Sequence, residues 1–204
     1  MKKKILVTLA VVACALLLVA GSIVGTLAYL TSTASVTNTF TVGNVTITMT
    51  ESKVDKYGAV VAGADRVAAN EYKLIPGHTY TKDPVIYVEK GSEACYLFVE
   101  VTDGLTGIQD TATIVDQLDG NGWKLMSGNV WYLETAVDAR EADKDLEIAT
   151  FTYFKVKGDA EVKNYVTENN AEAVINVVAY AVQADGFATP DAAWNATYGA
   201  PANP

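Results

Sequence analysis

From residue 30 onward, apolar and polar positions alternate with a period of two in several short runs, the spacing of strands whose side chains point to opposite faces. The first run is the most regular. Leu30, Ala34, Val36, Phe40 and Val42 share one parity, and Thr31, Thr33, Ser35, Thr37, Thr39 and Thr41 share the other. Gly43-Asn44 breaks the pattern with a turn or bulge signal. A second strand follows, with Val45, Ile47 and Met49 alternating with Thr46, Thr48 and Thr50. Residues 51–71 carry mixed charge and read as a loop, with a short helix over 64–69 as an option. Leu74-Ile75-Pro76-Gly77 predicts a turn, because proline presets one dihedral and glycine permits the next.

Lys82-Asp83-Pro84 leads into a strand at 85–88. The run at 94–101, ACYLFVEV, is almost wholly apolar; its shortness and aromatic content predict a central strand. One or two helical turns are expected at 111–118, then a hairpin of 123–125 with 130–134 across Ser127-Gly128-Asn129. Residues 136–145 form a charged loop, 146–156 a strand and 173–182 a strand rich in β-branched residues. Pro190 opens a short C-terminal helix over 190–194. About eight or nine strands with one or two short helices predict an all-β fold, a jelly-roll-like β-sandwich.

The N-terminus has a different pattern. Lys2, Lys3 and Lys4 precede an uncharged apolar run at 5–20, as in a signal peptide. Gly21, Ser22 and Gly25 loosen the helix beyond it, and Thr26-Leu27-Ala28 places small residues three and one before a cut. Cleavage between Ala28 and Tyr29 is expected, giving a signal helix at 1–28 and one β-sandwich domain at 29–204. Two alternatives stand beside it. The uncharged run extends through Leu30, long enough for a retained anchor. Val11-Val12-Ala13-Cys14 loosely matches a lipidation site, although apolar residues follow it.

The chain has 204 residues and a formal charge of −9. Without the three leading lysines it stands at about −12. Such acidity points away from nucleic acid and from docking on anionic lipid, so membrane contact is expected only through the signal segment. Of the two cysteines, Cys14 lies in the segment to be removed, which leaves Cys95 without an internal partner. Its apolar neighbours predict a buried, inert thiol.

Gly25-Thr26-Leu27-Ala28-Tyr29-Leu30-Thr31, Asn38-Thr39-Phe40-Thr41-Val42-Gly43-Asn44-Val45, the Pro76-Gly77 turn with Lys82-Asp83-Pro84, and 179–187 with Ala193-Trp194 together carry a resemblance. The chain resembles the TasA/camelysin family of bacterial exported proteins with SipW-type signal peptides. The resemblance spans most of the chain and is most specific at the signal junction. It implies a jelly-roll domain released by a SipW-type signal peptidase to the cell surface or extracellular matrix of a Gram-positive-type bacterium. It further implies a structural, non-enzymatic role in the biofilm matrix, through self-association or related matrix subunits. There the mature N-terminal strand completes the sheet of the next subunit. Residues 30–42 suit that role, with Leu30, Ala34, Val36, Phe40 and Val42 as the assembly face; the alternative is that they form the domain's own first strand.

Camelysin gives the family a peptidase label, so zinc is weighed. His78 is the single histidine, in the Pro76-Gly77-His78-Thr79 turn, whereas catalytic zinc usually takes one or two histidines among three ligands. It reads as an exposed turn residue. No nucleophile elbow, phosphate loop or dinucleotide fingerprint is present, so no catalytic, metal or cofactor residues are assigned. Asp138, Glu141, Asp143 and Asp145 share a loop with Arg140 and Lys144; a solvated loop is the plain reading, a weak calcium site the other. Trp123 and Trp131 suit core packing, or else a glycan-binding face. An extracellular binding module for glycan or host protein is thus the second functional reading, and a camelysin-like metallopeptidase a disfavoured third.

Overall fold

The computed structural model describes residues 44–158 and 174–199. The expected signal helix, the pair Ala28 and Tyr29, and the run holding Leu30, Ala34, Val36, Phe40 and Val42 lie outside the described residues. Among the described residues nine strands form: β1 (Ile47–Thr50), β2 (Thr79–Thr81), β3 (Val85–Val88), β4 (Cys95–Asp103), β5 (Trp123–Ser127), β6 (Val130–Leu133), β7 (Leu146–Ala149), β8 (Tyr153–Lys155) and β9 (Ile175–Gln183). Two short helices accompany them, α1 (Ile114–Gly120) and α2 (Pro190–Tyr198), with a 3-10 turn at Thr106–Ile108. The protein is mostly β.

The strands form three sheets, ordered β1-β3-β7, β2-β8 and β5-β6-β4-β9, and each neighbouring pair is antiparallel. The near-continuous apolar run becomes β4, in the interior of the four-stranded sheet. Cys95, Leu97, Val99 and Val101 enter the main core with Ile86 and Val88 of β3 and Trp123 of β5. Tyr96 and Phe98, on the opposite face, join a second cluster with Ala193 and Trp194 of α2. A strand buried on both faces has no polar parity, which is why this run reads as continuous rather than alternating.

The helices sit where their caps dictate. Thr113 accepts from the Asp116 amide while the Asp116 carboxylate accepts from the Thr113 amide, a capping box at α1. Thr189 caps α2, with Pro190 in its first turn. The Trp194 ring lies 4.9 Å from that of Phe98 and 5.4 Å from that of Tyr180, which fixes α2 on the sheet. At Gly58 (φ +80°) a Cβ would meet the Tyr80 Cα at 2.7 Å, so this loop packs onto β2 through a glycine.

Three expectations need correction. The single strand expected at 146–156 is two, β7 and β8, which pair in different sheets. Thr150 turns away at the crossing: its hydroxyl donates to the Pro84 carbonyl at 2.7 Å, and its own carbonyl accepts from Asn121, the C-cap of α1, at 2.6 Å. Residues 64–69 form no helix; Val67 bridges Glu51, and Arg66 is held by the carbonyls of Thr50 and Asp83. The residues after His78 continue as β2 rather than as turn, paired with β8.

Candidate functional site

Among the described residues β9 is the outer strand of its sheet. Gly104 donates to the Val174 carbonyl at 2.9 Å and Ala184 to that of Ala94 at 2.7 Å. By the alternation of an antiparallel ladder, the even-numbered residues of β9 bond to β4. The N–H and C=O groups of Ile175, Val177, Ala179, Ala181 and Gln183 therefore point away from β4. Among the described residues no strand pairs with that edge, and INVVAYAVQ contains no charge, no proline and no bulge against β4. Val177, Ala179 and Ala181 turn their side chains to the main core yet stay only partly buried.

Among the described residues β1 ends the three-stranded sheet in the same way. Glu89 donates to the Thr46 carbonyl, which sets the even-numbered residues toward β3 and leaves the backbone groups of Ile47 and Met49 outward. Met49 and Thr50 share a recess of about 190 Å³ with Ile175 and Val177 of β9, so the two edges open onto one groove. At one end the groove deepens into a cavity of about 610 Å³, lined by Tyr72, Leu74, Leu105, Phe154, Val174 and Ile175. Asn70 and Lys82 line both hollows.

A polar cluster closes that end. Lys82 Nζ donates to Glu51 Oε2 at 2.8 Å, with the Glu51 side chain 4 % exposed. Asn70 Nδ2 donates to Glu51 Oε1 at 3.0 Å and to the Ser52 carbonyl at 2.8 Å, while Asn70 Oδ1 accepts from the Val54 amide at 3.0 Å. Beside it Arg66 donates to Asp83, and Asp83 accepts from the amide and hydroxyl of Ser52 at 2.7 Å each. Burial, then the negative charges of Glu51 and Asp83, push the Tyr72 hydroxyl above its ordinary range. The Tyr72 hydroxyl donates to the Thr81 carbonyl at 3.0 Å.

The residues singled out for chemistry fall elsewhere. His78 is half-buried rather than exposed; its Nε2–H donates to the Tyr57 carbonyl at 2.7 Å and its ring meets Tyr80 edge-on at 4.7 Å. Among the described residues, no group of three or more His, Cys, Asp or Glu side chains is placed to hold a metal ion. Asp138 pairs with Arg140 at 2.6 Å, and Asp145 accepts from the Lys90 amide. Cys95 is fully buried, and burial followed by the charge of Asp138 pushes its thiol up to about 11. Trp123 and Trp131 lie in the main core, and the indole of Trp123 donates to the Ala149 carbonyl at 3.0 Å.

Reading the sequence missed Glu51, Asn70 and Lys82 as a group. They are spread over 31 positions, and no spacing rule links them. The free edge of β9 left a trace, a strand devoid of charge and proline. Compared with protein-family models, curated proteins and solved structures, the chain matches none.

Proposed function

We propose that the protein is an exported structural subunit of the bacterial cell surface or biofilm matrix, and that copies assemble by adding a strand to the groove between β1 and β9. The observation that carries this reading is the edge of the nine-residue β9, which no strand covers among the described residues. Natural sheets blunt their edges with charge, proline or bulges, and a long bare edge is a template for another strand. The occupant is the segment 30–42 of a second copy. No charge occurs between Lys4 and Glu51, so an uncharged strand meets an uncharged edge. Leu30, Ala34, Val36, Phe40 and Val42 would turn to the half-buried Val177, Ala179 and Ala181, and the threonine face to solvent. The finer architecture belongs to the same proposal: three sheets around one core, closed by the added strand as a jelly-roll-like sandwich.

Export through the segment 1–28, with release between Ala28 and Tyr29 by a SipW-type peptidase, supplies the free N-terminal strand that such assembly needs. Removal of residues 29–42 tests the reading. Filaments formed by the full mature chain are expected to disappear while the circular dichroism of the domain stays that of a β protein. If the truncated chain assembles as well as the full one, strand donation is wrong. If the full chain stays monomeric with 30–42 protected from hydrogen exchange, the segment closes its own domain instead.

A further inference from the structure

We infer that Lys82 and Asn70 become joined by an intramolecular isopeptide bond, with Glu51 as the group that moves the protons. Four observations converge on it. One buried carboxylate holds both nitrogens: Lys82 Nζ at 2.8 Å on Oε2 and Asn70 Nδ2 at 3.0 Å on Oε1. The side chains of Lys82 and Glu51 are 11 % and 4 % exposed, so water competes little for the amine. The amide orientation is fixed from both ends, since Nδ2 also donates to the Ser52 carbonyl while Oδ1 accepts from the Val54 amide at 3.0 Å. Finally, Lys82 and Asn70 both line the groove, which gives a leaving molecule its exit.

The parts match an acyl-transfer site. Glu51 takes a proton from the Lys82 ammonium, which frees the Nζ lone pair. The Nζ lone pair then forms a bond to Asn70 Cγ. Negative charge develops on Oδ1, where the Val54 N–H already points, as a one-donor oxyanion site. Protonated Glu51 faces Nδ2 and delivers the proton to it; the Cγ–Nδ2 bond breaks and ammonia departs into the groove. The excess proton on Nζ passes to Glu51 and leaves with ammonia as ammonium. An ammonium group and a carboxamide thus become a secondary amide and an ammonium ion. Glu51 is restored, and neither oxidant nor cofactor enters. Holding amine and amide on one carboxylate makes the step intramolecular, with the advantage of proximity.

The product would tie the loop that follows β1 to the junction of β2 and β3, along one wall of the groove. Among the described residues Cys95 is the one cysteine, and it is free, so this brace would do what a disulfide does elsewhere.

Intact mass and peptide mapping of the purified exported chain test the inference. The mature protein is expected to be lighter than its sequence by one ammonia. Trypsin is expected to spare the bond after Lys82 and to yield residues 67–73 joined to residues 74–90. Glu51→Gln should slow the linkage at least about a hundredfold, the usual worth of a proton-transfer group. Asn70→Asp should lose water instead of ammonia, and Lys82→Arg should keep the full mass. If a variant fails to fold, the wild-type mass and branched peptide still decide. Full sequence mass after prolonged incubation of the folded protein overturns the inference. So does an ammonia loss that maps to Asn121-Gly122, which would be succinimide formation.

Discussion

Two carboxylates respond to pH in opposite senses because of what surrounds them. Burial alone would raise Asp83, but the amide and hydroxyl of Ser52 and the Arg66 guanidinium outweigh it and hold the carboxyl below its ordinary range. Such a group adds stability above its unfolded value, near 3.9, and loses it as pH falls through the lower folded value. Burial raises Asp103, offset in part by Leu105, Gln109 and Thr106. It protonates more readily in the folded state, so falling pH through the raised value favours folding. Asp83→Asn is therefore expected to lower the melting temperature at pH 7 and to lose most of that effect in acid, once the pH has fallen through the lowered folded value of Asp83. A thermal melt series over pH checks this; an equal deficit at both ends would contradict it. Gly58→Ala is expected to cost more than about 1 kcal/mol, because φ is positive and Tyr80 occupies the space, read as a drop in denaturant midpoint.

At the scale of elements, β9 offers a separation of fold from edge. Ala179 sends its N–H outward, whereas Val178 sends its N–H to β4. Ala179→Pro should leave the β4–β9 ladder intact while deleting an edge donor; Val178→Pro should break the ladder and lower stability severely. Denaturation of the two variants side by side reads the difference, and equal destabilisation would refute the assigned polarity. α2 gives a second check: Trp194→Ala removes the ring packed on Phe98 and Tyr180 and should cost about 3–5 kcal/mol. Strand identity was legible where composition is local. β4, β9 and the β5–β6 hairpin follow from apolar runs and from the turn at Ser127-Gly128-Asn129. The crossing at Thr150 was not legible, because its cause lies in partners far along the chain, Pro84 and Asn121. The same holds for the cluster of Glu51, Asn70 and Lys82, which three separate segments build. Short β2 was hidden because three residues beside a proline turn carry no period.

For the whole molecule, acidity, the three-sheet core and the groove between β1 and β9 form one picture. The described residues fall within the compact unit Gly43–Pro204, and none of their helices is long and apolar enough to cross a membrane. His78 is occupied in a turn and Cys95 is sealed in the core, so Cys95 should resist thiol reagents until the protein unfolds. Among the described residues no strand pairs with the outward backbone groups of β9, and the proposed assembly would satisfy them with another strand. The most direct test is electron microscopy of the mature wild-type chain beside Ala179→Pro at equal concentration. Ordered filaments from the wild type and none from the folded variant are the predicted result. Filaments of equal number and form from both, or none from the wild type, would contradict assembly through this edge.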